Sequence, residues 1–119
     1  HGGGISGHPA RCAELAAQVG SPFFGVLYDP CNLMRGGMDY RLALWTMREH
    51  IAHVHLKDGA VTKEGFRLTP LGQGQLDFGW IVEMLDALGY EGDLALEYEL
   101  AEPPPEEGLA LWRRVAEAL

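Results

Sequence analysis

Cysteine is scarce in this chain of 119 residues: only Cys12 and Cys31 occur, and they form no C-x-x-C pair. That excludes a disulfide framework and reads as two free thiols in a reducing cytoplasm. Basic residues are few as well, 9 against 17 acidic ones. Phosphate affinity needs clustered Lys and Arg, so the balance argues against a general nucleic-acid surface. No apolar run approaches the roughly 20 residues that span a bilayer, and no secretory leader is visible, so no membrane partner is expected. Gly2, Gly3 and Gly4 look like a phosphate cradle. No Walker lysine or G-x-G-x-x-G spacing follows them, and they read instead as a flexible loop between a strand and a helix. Methionine is missing from the first position. The opening His1-Gly2-Gly3-Gly4 reads as a cut inside a loop, and the chain is expected to be part of a longer polypeptide.

The residues present suffice for one small domain with a modest core. Pro9 to Val19 reads as a helix, with Pro9 in its first turn, Gly20 at its end, and Cys12, Leu15, Ala16 and Val19 as its apolar stripe. The run Phe23 to Tyr28 is continuous and apolar and stops at Asp29-Pro30, as a buried strand would. Tyr40, Ala43, Leu44 and Met47 mark a second helix over about 39–49, followed directly by a strand from Ile51 to Lys57. A longer loop is expected through Gly59, Gly65, Pro70, Gly72 and Gly74. Asp77 then caps a third helix with the stripe Phe78, Ile81, Val82, Leu85 and Leu88. Asp93 to Glu99 is the third strand, and 106–119 the last helix, packing through Leu109, Trp112 and Ala116. Apolar strands alternating with amphipathic helices imply βαβ units, a parallel sheet and helices outside it. The fold class is therefore α/β, with three parallel strands alternating with four helices. A closed (β/α)8 barrel needs about 250 residues, so residues 1–119 would supply less than half of one.

The strand Ile51-Ala52-His53-Val54-His55-Leu56-Lys57 carries the main chemical signal. Side chains alternate faces along a strand, so His53, His55 and Lys57 share one face while Ala52, Val54 and Leu56 share the other. Burying such polar groups without partners costs roughly 1–3 kcal/mol each, which points to a polar pocket at the strand end. Each strand also brings a ligand-type residue to its C-terminal end: Asp29, then His55, then Glu97. Active sites of (β/α)8 barrels and open α/β sheets lie at that edge. Two carboxylates and an imidazole suit a divalent cation such as Mn²⁺, Mg²⁺, Co²⁺ or Zn²⁺. Plainer readings stand beside these. Asp29 before Pro30 could simply open a turn, His53 could be a satisfied core histidine, and Lys57 a snorkelling surface lysine. Glu99 shares a face with Glu97 and is the one expected to be solvated. Cys31, two residues past Asp29, is either a buried thiol or a ligand contact.

Four pieces in order carry a family resemblance: His1-Gly2-Gly3-Gly4, Asp29-Pro30-Cys31-Asn32, His53-Val54-His55-Leu56-Lys57-Asp58, and Leu71-Gly72-Gln73-Gly74 with Leu96-Glu97-Tyr98-Glu99. The chain resembles the sugar phosphate isomerase/epimerase superfamily, the xylose isomerase-like TIM barrels that include the AP endonuclease family 2 fold. The resemblance implies the C-terminal part of such a barrel and a metal held by Glu, Asp, His and Glu. Asp29, His55 and Glu97 match three of these; the first glutamate would stand about two positions before His1. Asn32 stands where many relatives have a histidine.

The implied activity is proton transfer on a sugar, sugar phosphate or polyol through an ene-diolate. Glu97 would be both metal ligand and acid/base. His1, Asn32, His53 and Lys57 would be substrate contacts, and the Gly72–Gly74 loop would close over the site. An inosose-type dehydratase of the same fold and a non-catalytic sugar-binding barrel are the alternatives. An AP endonuclease ranks lower, because the extra Asp-x-His pair of its zinc cluster does not occur after His55. The expected partner is a small carbohydrate, with homo-oligomerisation of the full-length protein left open. The chain on its own is expected to be inactive.

Overall fold

The computed structural model describes residues 7–118. The elements run α1 (Pro9–Val19), β1 (Val26–Tyr28), α2 (Pro30–Arg35), α3 (Tyr40–Met47), β2 (Ile51–Leu56), β3 (Asp58–Thr62), β4 (Gly65–Thr69), α4 (Phe78–Ala87), β5 (Leu94–Leu96) and α5 (Pro105–Ala116). Strands β1, β2 and β5 form the expected parallel sheet, in the order β1-β2-β5. The local signals act where the sequence places them. Pro9 opens α1, and the Asp39 carboxylate accepts the backbone N–H groups of Arg41 and Leu42 to start α3. Asp77 accepts from the N–H of Trp80 at 3.0 Å to start α4.

One face of the sheet is dry. Val26, Tyr28, Val54 and Leu56 are buried in a single cluster with Ala16 of α1, Ala43, Leu44 and Met47 of α3, and Ile81 and Leu85 of α4. Removing each large aliphatic side chain from water stabilises the fold by about 1.5–3 kcal/mol. The Tyr28 hydroxyl donates to the Tyr40 carbonyl at 3.0 Å, so this buried phenol is satisfied. The opposite face is open: Leu27 lies beside His53 in the β1–β2 register and is 46% exposed. His55 lies beside Ala95 in the β2–β5 register. The polar residues of β2 are thus on the uncovered face, as their alternation predicts.

Three features depart from the sequence reading. The expected loop after β2 contains an antiparallel hairpin, β3 with β4, in the register Asp58↔Thr69 to Thr62↔Gly65. Its tight turn is held by the Thr62 hydroxyl, which donates to the Gly65 carbonyl at 2.9 Å. A short helix, α2, follows Asp29 directly. The packed faces of the outer helices are also rotated. On α1 the buried side is Cys12, Ala13 and Ala16, leaving Leu15 and Val19 exposed. On α5, Trp112 packs as expected, but Leu109 is 53% exposed and Ala116 is exposed too. Gly108 is the cause on α5: a Cβ there would lie 2.0 Å from the Tyr98 ring, so the helix turns its glycine inward and Leu109 outward.

Candidate metal centre

The site assembles at the C-terminal ends of the three parallel strands. Asp29 follows β1 and is 6% exposed. As the N-cap of α2, its Oδ1 accepts the backbone N–H of Asn32 at 2.8 Å. Its Oδ2 accepts from Asn32 Nδ2 at 2.6 Å and faces inward, 3.8 Å from His55 Nδ1. The turn-opening reading of Asp29 is therefore borne out on Oδ1, while Oδ2 is turned toward His55. Glu97 follows β5, and its N–H donates to the Leu56 carbonyl at 3.1 Å, which fixes it level with the end of β2. Its Oε2 lies 3.3 Å from His55 Nδ1.

Asp29, His55 and Glu97 each offer one ligand atom, and these atoms lie within 4.8 Å of one another. Ligands bound at about 2.0–2.2 Å stand up to about 4.4 Å apart across an ion, so the cluster needs only a small contraction to close. Two carboxylates and one imidazole nitrogen form a donor set that fits a divalent cation. Those three residues are the ones the sequence reading selected as ligands.

Lys57 is not a surface lysine. It is 5% exposed, and its ammonium donates to Glu97 Oε2 and, at 2.8 Å, to Glu99 Oε2. Asp29 Oδ2 is 3.5 Å from the same nitrogen. Burial alone would lower the Lys57 pKa, but the hydrogen bonds from Glu97 and Glu99 and the charge of Asp29 reverse this and raise it. The Lys57 hydrogen bond holds the Glu97 carboxyl below the usual carboxylate range, against the opposing effect of burial. Glu97 is thus ionised at neutral pH. Glu99, expected to be solvated, keeps an exposed side chain yet binds Lys57.

His53 stands one strand repeat behind His55, with the two rings edge to face at 5.3 Å. Asn32 uses its amide on Asp29. His1 lies outside the described residues. Cys31 is fully buried in the hydrophobic core, and burial, reinforced by the Asp29 charge, pushes its thiol up to about 12.

Sequence reasoning passed over Asp58. This carboxylate is 2% exposed and accepts the N–H groups of Gly59 at 2.8 Å, Gly72 at 3.0 Å, Gly74 at 2.8 Å and Leu76 at 3.4 Å. The Gly72–Gly74 loop, expected to close over the site, is thereby tied to the first residue of β3. The available signal was a carboxylate facing a glycine-rich segment, whose bare amides can converge on one acceptor. A cleft beside the cluster is lined by Lys57, Leu71, Glu97, Tyr98 and Glu99.

Residues 1–115 match the sequence profile of the xylose isomerase-like TIM barrel. The chain is 36% identical over 101 residues to the L-ribulose-5-phosphate 3-epimerase UlaE of Escherichia coli, a match covering 82% of this chain and 34% of that protein. It thus spans about a third of the length of such curated relatives. Among solved structures, a xylose isomerase domain protein from Planctomyces limnophilus superposes with a TM-score of 0.78 at 22% identity, over 93% of this chain and 41% of that one. The 3-keto-D-glucoside 4-epimerase YcjR of Escherichia coli superposes with a TM-score of 0.64 at 24% identity, over 90% and 39% of the two chains. These two likenesses concern the fold, and they place the three-stranded sheet within a larger barrel. The chain belongs to the xylose isomerase-like TIM-barrel family.

Proposed function

We propose that this chain is the C-terminal part of a metal-dependent isomerase or epimerase acting on a sugar or sugar phosphate. The observation that carries the reading is the meeting of Asp29 Oδ2, His55 Nδ1 and Glu97 Oε2 at the ends of adjacent parallel strands. The 36% identity to an L-ribulose-5-phosphate 3-epimerase supports the choice of substrate class.

Asp29, His55 and Glu97 would hold the ion, with a fourth ligand upstream of His1. The chemistry a divalent cation supplies when bound is polarisation of a carbonyl oxygen, which acidifies the neighbouring C–H bond. Glu97, ionised through its Lys57 hydrogen bond, accepts or returns the proton at that carbon. Asn32 holds Asp29 Oδ2 in place. His53, on the open face of β2, and Lys57, whose ammonium lies among the site carboxylates, are the residues toward which substrate oxygens would be directed.

In the full-length protein, exchange of the substrate C–H proton with deuterated solvent tests the assignment. Glu97→Gln should slow exchange by at least about 10²-fold, the scale of a lost acid/base group. Near-normal exchange would remove Glu97 from that role.

A further inference from the structure

The ammonium of Lys57 and the imidazole of His55 compete for the same oxygens. Glu97 Oε2 accepts from Lys57 Nζ while standing 3.3 Å from His55 Nδ1. Asp29 Oδ2 is 3.5 Å from Lys57 Nζ and 3.8 Å from His55 Nδ1. A cation held by Asp29, His55 and Glu97 would therefore take up carboxylate charge that the lysine now neutralises. Lys57 has one further partner, Glu99 Oε2 at 2.8 Å, and Glu99 is not in the ligand cluster. Glu99 lies two residues beyond Glu97 in the chain.

The geometry points to Lys57 as an internal placeholder cation, which neutralises the ligand carboxylates before the metal arrives and withdraws onto Glu99 when it binds. This inference rests on the metal reading proposed above. The physical reason for such a device is electrostatic. Asp29, which is buried, and Glu97, which is partly buried, bring ligand oxygens within 4.8 Å of each other, and like charges so placed repel unless a cation lies between them. A dication in contact with that lysine's nitrogen would be repelled in turn, so a metal-ready site needs somewhere for the ammonium to go. Glu99 supplies that place without breaking the burial of the lysine stem. No bond is made or broken in the exchange; one cation replaces another at two oxygens.

The competing account is that Lys57 only holds the carboxylates in position. The two differ in sign. Titration calorimetry with Mn²⁺ on the full-length protein, Lys57→Met, Glu99→Gln and the double variant separates them. As a placeholder, Lys57→Met should bind Mn²⁺ about tenfold tighter, since a competing charge is gone. Glu99→Gln should bind about 3–10-fold more weakly, and that loss should shrink in the Lys57→Met background, where no lysine needs parking. Equal or weaker binding by Lys57→Met overturns the inference, and so does a Glu99→Gln effect that is undiminished in the double variant. If Lys57→Met does not fold, the structure of the Mn²⁺-loaded wild type decides: Nζ on Glu99 alone supports the exchange, and Nζ still against Glu97 refutes it. Wild-type protein that takes up no divalent ion would instead sink the metal reading itself, a result distinct from either.

Discussion

Asp29 and Asn32 are bound to each other twice, with the Asn32 backbone N–H on Oδ1 at 2.8 Å and its side-chain amide on Oδ2 at 2.6 Å. The first bond starts helix α2, and the second orients the oxygen that faces His55. Asn32→Ala keeps the cap and removes only the second. Partners of metal ligands that orient them are worth about 10–100-fold in affinity, and a loss of that order in Mn²⁺ binding by the full-length protein is expected. Unchanged affinity would show that Asp29 is held by its cap alone.

Asp58 governs the loop beyond the hairpin. Asp58→Asn keeps its shape but replaces an acceptor-only group by one whose amide N–H groups would face the donors of Gly72 and Gly74. Charge-assisted bonds to a buried carboxylate are the stronger kind, and the substitution should destabilise by about 1–3 kcal/mol in thermal or denaturant unfolding. Gly74→Ala should act similarly, because a Cβ there would lie 2.1 Å from Asp58 Oδ1. If both variants unfold with wild-type stability, the carboxylate is not the anchor of this loop.

The buried thiol of Cys31 gives a prediction in pH. Its ordinary value is 9.0, and burial raises it to about 12. Above pH 9 the unfolded chain ionises its thiol while the folded chain keeps the proton, so this group subtracts from stability as pH rises. The same burial should make Cys31 alkylate far more slowly than the unfolded chain at pH 8, whereas partly buried Cys12 reacts sooner. Equal labelling rates for the two cysteines, read by peptide mass spectrometry, would contradict the burial.

Much of the site was readable because it depends on a period of two. His53, His55 and Lys57 alternate with residues that the helices cover, and that pattern alone places them on the open face. Asp29 and Glu97 were readable for a related reason, since each ends an apolar run. Glu99 obeys the same period and could have been paired with Lys57 by it. Of the two glutamates it was the one expected to be solvated, and only the fold shows that the Lys57 ammonium donates to it. The hairpin was hidden because each of its strands has only five residues and begins at or beside a glycine, so no long alternation emerged. Helix α2, six residues long, is too short to show a stripe. The rotation of α5 depended on the position of Tyr98 relative to Gly108, a contact between elements that no local pattern encodes.

The role of Glu97 as acid/base stands or falls on proton exchange, but the ligand cluster precedes it. The most direct test is therefore the divalent metal content of the purified full-length protein, with Mn²⁺ titration of the wild type, Asp29→Asn and His55→Ala. The account predicts about one ion per chain in the wild type, and affinity lowered by at least about 10²-fold in each variant, since each loses a direct ligand. A wild type that binds no divalent ion, or a His55→Ala protein that binds it as tightly as the wild type, would contradict the account.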